Sequence, residues 1–337
     1  MKLLLVRNDR LGDFMLAWPA FALARRSAPD AIISALVPEY TREMADLCPS
    51  IDEVMVDPGD AAGARSLTRA FSRGGFDALV AIYSTARVGA AAWLARIPCR
   101  VAPASQVFQF LYNHRLAQRR SRSEKPEYGY NVDLMRFALE RIGIEAGDLP
   151  GPPYLRFGQE TIAVLRGRFM AREAIPTEHR IVIVHPGHGG SARNLAPDRY
   201  VALALALRSG SGHTVVVCAG PGEQDTAQRV ASGIGTSASR VLVSRDGIGA
   251  YALFIACADV FISGSTGPLH VAGALDVPTA AFYPRRRSAT ALRWQTLNSE
   301  PRRLAFCPPP GAGEEDMASV DIRAAAATIS ARFLDAV

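Results

Sequence analysis

The stretch that decides the fold is ADVFISGSTGPLHVAGAL, residues 258–275. In it, the mainly apolar run 260–263 is followed by small polar residues, by Pro268 and by a second apolar run. Short apolar strands that lead directly into helices are typical of parallel sheets with helices on both faces. Proline suits the first turn of a helix, where its missing N–H is not needed. The stretch therefore predicts a strand, a turn and a helix whose free N–H groups bind an anion.

Polar residues next to this turn are candidates for the same site. The candidates within the turn, with hydroxyl or backbone N–H groups, are Ser265, Thr266 and Gly267. His270 lies in the predicted helix and is either a further polar group of the site or a histidine of the core. The strand near 214–219 ends in Gly220, and Glu223 follows at the start of another helix. Glu223 either binds a ribose or only serves the helix start.

Similar pairs of strand and helix occur along the whole chain. Predicted strands lie near residues 3–6, 31–37, 54–56, 79–82, 181–184, 214–219, 241–243, 260–263 and 279–282. Predicted helices lie near residues 14–27, 85–95, 132–142, 160–172, 198–208, 223–232, 248–257, 269–275 and 322–334. This alternation predicts an α/β fold built from parallel βαβ units.

A proline-rich break divides this pattern into two similar halves. The segment LPGPP, residues 149–153, fits neither a helix nor a central strand. A chain of 337 residues is also long enough for about two domains. We therefore expect two similar α/β domains that face each other across a cleft. The N-terminal domain is expected at 1–158 and the C-terminal domain at 159–320, followed by a helical segment at 321–337.

The composition excludes several classes of protein. With 49% hydrophobic and 21% charged residues, the chain has the composition of a folded protein and not of a disordered one. Its five cysteines include no C-x-x-C pair, which excludes a zinc ribbon and argues against a disulfide scaffold. The apolar runs 3–6 and 260–275 are too short for a secretion signal and a membrane span, respectively. We expect a cytoplasmic protein that is soluble or peripheral at a membrane.

The distribution of charge is more informative than the net charge of +6, which does not identify a partner by itself. Two segments contain arginines and no acidic residue. They are 78–123, with seven arginines, and 277–299, with four. An arginine-rich genome would raise the arginine content everywhere but would not remove carboxylates from two segments. Each segment is therefore a candidate surface for an anionic ligand, with a solvated loop as the alternative.

The first acid-free segment ends in a group of arginines. The members of this group are Arg115, Arg119, Arg120 and Arg122. Three aromatic residues precede them, Phe108, Phe110 and Tyr112, and we expect these near a membrane surface.

The first predicted strand, 3–6, leads into a polar loop and a helix. Ligands of open parallel sheets bind at the carboxyl ends of the strands, so this loop lies at an expected site. The loop and helix start contain Arg10, Gly12 and Asp13. Gly12 lets a ligand approach the backbone closely, and Asp13 either caps the helix or provides a carboxylate to the site. The loop lacks the G-x-G-x-x-G pattern of dinucleotide-binding proteins.

A second loop follows the strand near 181–184. It begins with HPG, residues 185–187, and continues with glycine and serine, whose backbone N–H groups suit phosphate oxygens. Arg193 after the loop is a candidate clamp for a diphosphate. The G-K-[ST] ending of a P-loop is missing, which disfavours ordinary NTPase chemistry. No metal site is expected, because His185 and His188 have no carboxylate or cysteine close in sequence and the chain has no D-x-D triplet.

Taken in order, these motifs resemble those of glycosyltransferase family 9, the lipopolysaccharide heptosyltransferases and their relatives. The opening motif of the family, an apolar strand, arginine, Leu-Gly-Asp and Leu-x-x-Pro, is similar to residues 3–19. The middle motif, His-Pro-Gly followed by Lys-x-Trp-Pro, is similar to residues 185–187 and 193–196. The last motif, Asp-[Ser/Thr]-Gly-Pro-x-His-x-Ala, is similar to residues 265–272, and the Gly-Pro-Gly-Glu turn at 220–223 also matches.

This resemblance implies a GT-B fold, in which two Rossmann-like parallel-sheet domains face a central cleft. It also implies that the final helix, 322–334, packs back on the N-terminal domain. It implies a nucleotide-sugar donor on the C-terminal domain, an acceptor on the N-terminal domain, and an inverting transfer without metal or other cofactor. It implies that Asp13 is the general base for the acceptor hydroxyl. The implied donor and diphosphate site consists of His185, Gly187, Arg193, Gly220, Glu223, Ser265, Thr266, Gly267 and His270. The expected acceptor is an acidic, lipid-linked saccharide at the cytoplasmic face of the inner membrane, and its expected site consists of Arg10 and Gly12 with Arg115, Arg119, Arg120 and Arg122.

The resemblance further implies particular substrates, heptose from ADP-heptose and the inner core of lipopolysaccharide. Ser265 stands where the family pattern has an acid that contacts the sugar. Leu195 and Ala196 stand where it has tryptophan and proline, so the donor sugar is left open. One alternative is a GT-B nucleotide-sugar 2-epimerase. Another is a basic nucleic-acid-binding protein, which would need a binding motif or aromatic stacking platforms that the arginine runs do not provide.

Overall fold

The computed structural model describes residues 1–59, 63–187, 193–207, 212–235 and 239–335. The chain divides into two compact units, residues 1–154 and 155–337. The division follows directly after the proline-rich break at 149–153. That the first unit binds the acceptor and the second unit binds the donor stays a prediction.

The first unit is a parallel sheet with helices. Its strands are β1 (Lys2–Val6), β2 (Ile32–Pro38), β3 (Glu53–Asp57), β4 (Ala78–Ala81), β5 (Cys99–Pro103) and β6 (His114–Leu116). They lie in the order β3-β2-β1-β4-β5-β6, with every neighbouring pair parallel. Its α-helices are α1 (Leu11–Met15), α2 (Trp18–Ser27), α3 (Arg42–Asp46), α4 (Gly63–Gly74), α5 (Ala86–Leu94) and α6 (Glu127–Arg141).

The second unit repeats this arrangement. Its strands are β7 (Arg180–His185), β8 (His213–Ala219), β9 (Ser239–Val243), β10 (Val260–Gly264), β11 (Thr279–Phe282) and β12 (Arg303–Phe306). They lie in the order β9-β8-β7-β10-β11-β12, again all parallel. Its α-helices are α7 (Gln159–Arg172), α8 (Pro197–Leu207), α9 (Gln224–Ile234), α10 (Gly247–Ile255), α11 (Gly267–Ala274) and α12 (Ile322–Ile329). Within the described residues, every helix is too short or too polar to cross a membrane.

Both sheets have the strand order 3-2-1-4-5-6 when the strands of each unit are counted from its own start. This is the order of the Rossmann fold, and the predicted α/β class with two Rossmann-like parallel sheets is confirmed. The strand order reverses between β1 and β4 and between β7 and β10. Ligands of such sheets bind outside the carboxyl ends of the strands at this reversal. Each unit therefore presents a site after its first and fourth strands.

The predicted strands are the apolar ones, because helices cover both faces of each sheet. All residues of 3–6 and 260–262 are fully buried. Three strands, β5, β6 and β12, were not predicted, and neither were α3 and α4. β6 has three residues at the edge of the sheet, two of them polar, and so it has no apolar run to indicate a strand.

The helix predicted at 14–27 is interrupted. α1 ends at Met15, and α2 begins at Trp18 with Pro19 in its first turn. In a continuous helix, Pro19 could not donate to the carbonyl of Met15, and its ring would clash with that carbonyl. The break leaves α1 as little more than one turn directly after the β1 loop, and Asp13 lies in this turn.

The last helix lies in the core of the second unit. α12 packs on α8, and its apolar side chains Ile322, Ala326 and Ile329 are buried there. A π-helical turn, Ser330–Leu334, follows, and its Phe333 carbonyl accepts a hydrogen bond from the guanidinium of Arg180 on β7. The expectation that this helix also packs on the N-terminal domain stays a prediction.

Candidate active site

In the first unit, a buried arginine follows β1 and gathers three carboxylates. The Arg7 side chain is 3% exposed. Its Nη2 donates a hydrogen bond of 2.6 Å to Oδ1 of Asp13. Its Nε lies 2.9 Å from Oδ1 of Asp9, an ion pair without hydrogen-bond geometry, and its Nη1 lies 3.7 Å from Oε1 of Glu127. We call these four residues the arginine cluster.

The arginine cluster extends to one of the predicted acceptor residues. Glu127 is the first residue of α6 and its side chain is 3% exposed. Its Oε1 also accepts a hydrogen bond of 2.5 Å from Nη1 of Arg120. Arg120 in turn donates to the side-chain carbonyl of Gln118. The structure thus links Arg120 to Asp13 through Glu127 and Arg7.

Burial determines the electrostatics of this cluster. Burial lowers the pKa of Arg7, but attraction to the three carboxylates outweighs this effect, and the net pKa of Arg7 is raised. Burial raises the pKa of Asp9 to about 6; Arg7 opposes this shift and the nearby charge of Asp13 adds to it. Asp9 therefore titrates close to neutral pH, next to the carboxylate of Asp13.

Asp13 does not act as a helix cap. The residue at the N-cap of α1 is Arg10, and no side chain makes a capping hydrogen bond there. The Asp13 side chain, 17% exposed, is instead held by Arg7 and lies in the first turn, where helix N–H groups favour a negative charge. Of the two other predicted residues, Arg10 is exposed and Gly12 is partly buried in α1.

A second ion pair also lies at the carboxyl ends of the strands in this sheet, and the sequence did not predict it. Asp57, the last residue of β3, accepts two hydrogen bonds of 2.8 and 2.7 Å from Arg87 in the first turn of α5. The amide of Asn8 donates to the same carboxylate. Burial alone would raise the pKa of Asp57, but the hydrogen bonds from Arg87 and Asn8 lower it overall. This pair holds the loop after β1 to β3 and α5.

The other predicted acceptor arginines are spread over the surface. Arg115 and Arg119 are exposed, and Arg122 forms an exposed ion pair of 3.6 Å with Glu124. The expectation that Tyr112 lies near a membrane surface is wrong. Its ring is 1% exposed in the core of the first unit, where its hydroxyl donates to the carbonyl of Thr85.

In the second unit, a buried histidine ends β7. Nδ1 of His185 lies 3.1 Å from the hydroxyl of Tyr251, and its Nε2 lies 3.5 Å from Oε2 of Glu223. Burial lowers the pKa of His185 to about 4, against the opposing effect of Glu223. His185 is therefore neutral at pH 7, and its contact with Glu223 is not an ion pair.

Glu223 lies over the loops after β7 and β8. Its Oε2 accepts a hydrogen bond of 3.1 Å from the backbone N–H of Gly220. It also occupies the space beside Gly187, where a Cβ atom would lie 2.1 Å from the same oxygen. Glycine is thus required at 187 for Glu223 to take this position. Three predicted donor residues, Gly187, Gly220 and Glu223, are brought together with His185.

The turn after β10 brings hydroxyl groups to the start of α11. Thr266 is the N-cap of α11, and its Oγ1 lies 3.1 Å from Oγ of Ser263. Ser263 in turn donates to the carbonyl of His185 and so joins β10 to β7. Ser265 and Gly267 are partly buried beside Thr266. The first N–H groups of α11 have no partner within the helix, as at any helix start, and suit an anion.

His270 belongs to the interior of the second unit. Its side chain is 2% exposed on α11, and its ring lies 6.5 Å from that of Trp294. The burial agrees with the interpretation as a core histidine, and a direct contact with the donor stays a prediction.

Asn194 joins the elements around the second site and was not predicted. Its Nδ2 donates to the carbonyl of Pro186, and its Oδ1 accepts from the Tyr200 hydroxyl at 2.5 Å. Gly264 makes room for this amide, because a Cβ there would lie 2.3 Å from Oδ1 of Asn194. The signal for this role in the sequence is weak and consists of the position of Asn194 between the predicted loop and α8.

Arg193 is engaged by an acid far away in sequence. Its Nε lies 3.3 Å from Oε2 of Glu315, and Nη1 of Arg286 lies 3.2 Å from the other oxygen of this carboxylate. The Arg193 side chain is 70% exposed. The predicted phosphate loop continues through His188 and the glycines and serine that follow, and these residues, 188–192, lie outside the described residues. Elsewhere in the described chain, no three His, Cys, Asp or Glu side chains are placed to hold a metal ion.

Two Rossmann units in one chain, with polar groups at the carboxyl ends of their central strands, agree with the GT-B fold, and comparison with known proteins identifies a glycosyltransferase of this class. The profile of glycosyltransferase family 9 (heptosyltransferase) matches residues 75–299. The chain belongs to this family. It is also 40% identical over 323 residues to a Haemophilus influenzae protein that carries a provisional glycosyltransferase name, covering 95% of this chain and 92% of that protein.

Solved structures agree on the fold. The Escherichia coli ADP-heptose lipopolysaccharide heptosyltransferase II superposes with a TM-score of 0.81 at 18% identity, with 99% of each chain covered. The E. coli heptosyltransferase WaaC with ADP superposes with a TM-score of 0.75 at 16% identity, covering 98% of this chain and 100% of that one. Membership of the family favours the glycosyltransferase over the 2-epimerase and the nucleic-acid-binding protein.

Proposed function

We propose that the protein is an inverting, metal-independent glycosyltransferase that moves a sugar from a nucleoside-diphosphate sugar onto a saccharide hydroxyl. The observation that carries the proposal is the carboxylate of Asp13, which Arg7 holds at the carboxyl end of β1. A general base has to be ionised, oriented and within reach of substrate. The hydrogen bond from Arg7 orients the Asp13 carboxylate, and its position at the strand reversal of a Rossmann sheet supports its reach to substrate.

On the donor side, the second unit offers neutral hydrogen-bonding groups and a helix start. The N–H groups at the start of α11 and the hydroxyl of Thr266 bind the diphosphate. Glu223, held by the Gly220 N–H, accepts hydrogen bonds from ribose hydroxyls. His185 is neutral and adds no charge to this site.

The nucleotide is ADP and the sugar is a heptose in this proposal. Two structural neighbours support it, E. coli heptosyltransferase WaaC with ADP and the same enzyme with ADP-2-deoxy-2-fluoro heptose, the latter with a TM-score of 0.72 and 17% identity. Ser265 replaces an acid of the family pattern next to the sugar. We therefore expect a difference in affinity between heptose and other ADP-linked sugars.

The chemical step is a single displacement. The acceptor oxygen attacks the anomeric carbon while Oδ2 of Asp13, the oxygen opposite the one bound by Arg7, takes the hydroxyl proton. The bond between the anomeric carbon and the β-phosphate oxygen breaks, and the nucleoside diphosphate leaves with this electron pair. Attack from the side opposite the leaving group inverts the anomeric configuration.

The charge of the leaving group is met without a metal ion. The start of α11 and Arg193 provide N–H donors for the developing phosphate charge. Arg193 has to leave Glu315 to do so, and an exposed ion pair of this kind contributes only about 0–1 kcal/mol, so the exchange costs little.

The acceptor is an acidic saccharide of the lipopolysaccharide inner core, a proposal based on the family and on the arginines of the first unit. Arg120 is the residue best placed for it, because its ion pair with Glu127 joins it to the arginine cluster. Arg10 and Gly12 lie beside Asp13 in α1 and its cap. A lipid-linked acceptor also places the protein at the inner membrane as a peripheral protein.

A thermal-shift screen of nucleoside diphosphates and their sugars tests the donor site without knowledge of the acceptor. We expect ADP and ADP-heptose to raise the Tm more than UDP, GDP or CDP, with and without EDTA. The variant Thr266→Ala should reduce the shift, whereas Thr328→Ala, a change at an exposed position of α12, should not. Equal shifts for all nucleotides, or a shift that requires a divalent cation, would contradict the proposal.

A further inference from the structure

The first unit carries an exposed apolar patch at one edge of its sheet. The patch consists of Trp93 and Leu94 at the end of α5 and of Val107 and Phe110 in the 3-10 turn Val107–Leu111. Val107 is 94% and Phe110 is 71% exposed, which makes them the two most exposed large hydrophobic side chains in the described chain. We call these four residues the edge patch. Scattered apolar side chains are normal on a surface, but a group of this exposure indicates a contact.

The edge patch lies on two adjoining elements, because α5 packs against the 107–111 turn. The contact is close at Gly89, where a Cβ atom would lie 3.0 Å from Cβ of Leu111. Trp93 follows Gly89 by one helical turn and lies on the same face of α5. Arg100 fixes the turn to β5 through a hydrogen bond of 2.9 Å to the carbonyl of Leu111. The edge patch is therefore built on ordered elements.

Three arginines on or next to the elements at this edge of the sheet have no acidic partner among the described residues. Arg96 follows α5, Arg115 lies on the edge strand β6, and Arg119 follows that strand. All three are exposed, and none of them forms an ion pair with any described residue. The segment 78–123 contains no acidic residue at all. These arginines differ from Arg87 and Arg120 in the same segment, which are bound to carboxylates.

We propose that the edge patch and these three arginines dock the protein on an anionic lipid bilayer. Exposed tryptophan and phenylalanine enter the headgroup region, and arginines are attracted to the negative surface. An arginine on an edge strand also prevents pairing with other strands, but this explains Arg115 alone and not the apolar side chains. The proposal rests on the proposed function, because a lipid-linked acceptor is presented by the same membrane.

The edge patch and the three arginines, together called the docking surface, are connected to the arginine cluster by a short segment of the chain. Residues 116–127 run from the edge strand to the start of α6, where Glu127 binds both Arg120 and Arg7. The edge patch and Asp13 thus belong to the same compact unit, and Arg120 lies on the segment that joins them.

Sedimentation of the full-length protein with sucrose-loaded vesicles tests the proposal. Vesicles with phosphatidylglycerol are compared with vesicles of pure phosphatidylcholine, at low and high salt. One variant is Val107→Ser with Phe110→Ser, and the other is Arg96→Gln with Arg115→Gln and Arg119→Gln. Matched controls in the second unit carry the same changes at exposed positions, Val164→Ser with Leu205→Ser, and Arg168→Gln with Arg229→Gln and Arg323→Gln.

We expect the wild-type protein to bind anionic vesicles and to bind neutral vesicles only weakly. Its binding to anionic vesicles should weaken at high salt. Each arginine contributes about fivefold to this partition, so the triple variant loses roughly a hundredfold. The serine variant should also lose binding, while both controls and the ADP-induced Tm shift remain as in the wild type. No vesicle binding by the wild type, or equal binding by variants and controls, would overturn the proposal.

Two outcomes separate membrane docking from self-association and from the glycosyltransferase function. If the edge patch instead causes concentration-dependent self-association that Phe110→Ser abolishes, without vesicle binding, the surface is a subunit interface and the proposal is wrong. If vesicles bind as expected but no nucleotide raises the Tm, the docking surface stands and the proposed glycosyltransferase function fails.

Discussion

Replacing Asp9 with asparagine is expected to stabilise the protein at neutral pH, although it removes a charge next to a buried arginine. Asp9 lies 2.9 Å from Nε of Arg7, but Arg7 already binds Asp13 and approaches Glu127. One guanidinium cannot compensate the burial of three carboxylates. The raised pKa of Asp9, about 6, expresses this imbalance.

The size of the effect follows from the difference between the folded and unfolded pKa values. The folded value of about 6 exceeds the ordinary value of 3.8 for Asp9. This difference of about two units corresponds to about 3 kcal/mol of unfolding free energy. The folded state binds the proton of Asp9 more tightly than the unfolded state does. The contribution of Asp9 to the free energy of unfolding therefore falls as the pH rises from 3.8 to 6 and is constant above pH 6. The side chain of asparagine does not titrate, so the stability of the Asp9→Asn variant does not fall in this way as the pH rises.

Equilibrium urea unfolding of the wild type and Asp9→Asn between pH 5 and pH 8 measures the difference. The variant should be more stable by up to about 3 kcal/mol at pH 8, and this advantage should be smaller at pH 5 by about 1 kcal/mol. A difference that does not change with pH, or a variant that is less stable at pH 8, would refute the reasoning.

Asp57→Asn is the matched control. The Asp57 carboxylate also lies at the carboxyl end of a strand in the first sheet, but its pKa is shifted in the opposite direction. Hydrogen bonds from Arg87 and Asn8 lower the pKa of Asp57. The stability that this group contributes is therefore fully present above the unfolded pKa and is lost only as the pH falls through the folded one. Asp57→Asn should be less stable than the wild type by the same amount throughout pH 5–8.

Two further predictions concern the second unit. Gly187→Ala should displace the Glu223 carboxylate and weaken ADP binding about tenfold with little change in stability, because the clash involves only the end of a flexible side chain. Isothermal titration measures this, with Gly167→Ala on exposed α7, where a Cβ meets nothing, as the control. Asn194→Ala should lower the unfolding free energy by about 1–3 kcal/mol, because the buried hydroxyl of Tyr200 loses its acceptor. Urea unfolding measures this loss, and adding Tyr200→Phe should recover part of it; no recovery would contradict this explanation.

The Rossmann class could be predicted because the central strands carry their own signal. β1, β7 and β10 are continuous apolar runs, each followed by a polar turn and a helix. β5 and β12 carry arginine, and β6 is too short, so periodicity did not indicate them. The interruption between α1 and α2 was present in the sequence as Pro19, which fits a helix start better than a helix interior.

The candidate sites could be predicted in part. Loops at the carboxyl ends of β1, β7 and β10 are expected sites once the strands are predicted, and the family motif then makes Asp13 the candidate base, which stays a prediction. Arg7, which binds Asp13, also approaches Glu127 at the start of α6. Glu127 lies 120 residues after Arg7, so no local sequence pattern connects the two. The same holds for the pairing of Arg193 with Glu315. Sequence spacing indicates neighbours within an element but not contacts between distant ones.

The rate of sugar transfer by Asp13→Asn tests the central claim most directly. Asparagine keeps the shape of the side chain, and its amide oxygen can still accept a hydrogen bond from Arg7, but it cannot take a proton. With ADP-heptose and an inner-core acceptor, we predict that kcat falls by at least about a hundredfold, as expected for the loss of a general base. The ADP-induced Tm shift should be unchanged. Near-normal transfer by this variant, with ADP binding intact, would contradict the assignment of Asp13 as the base.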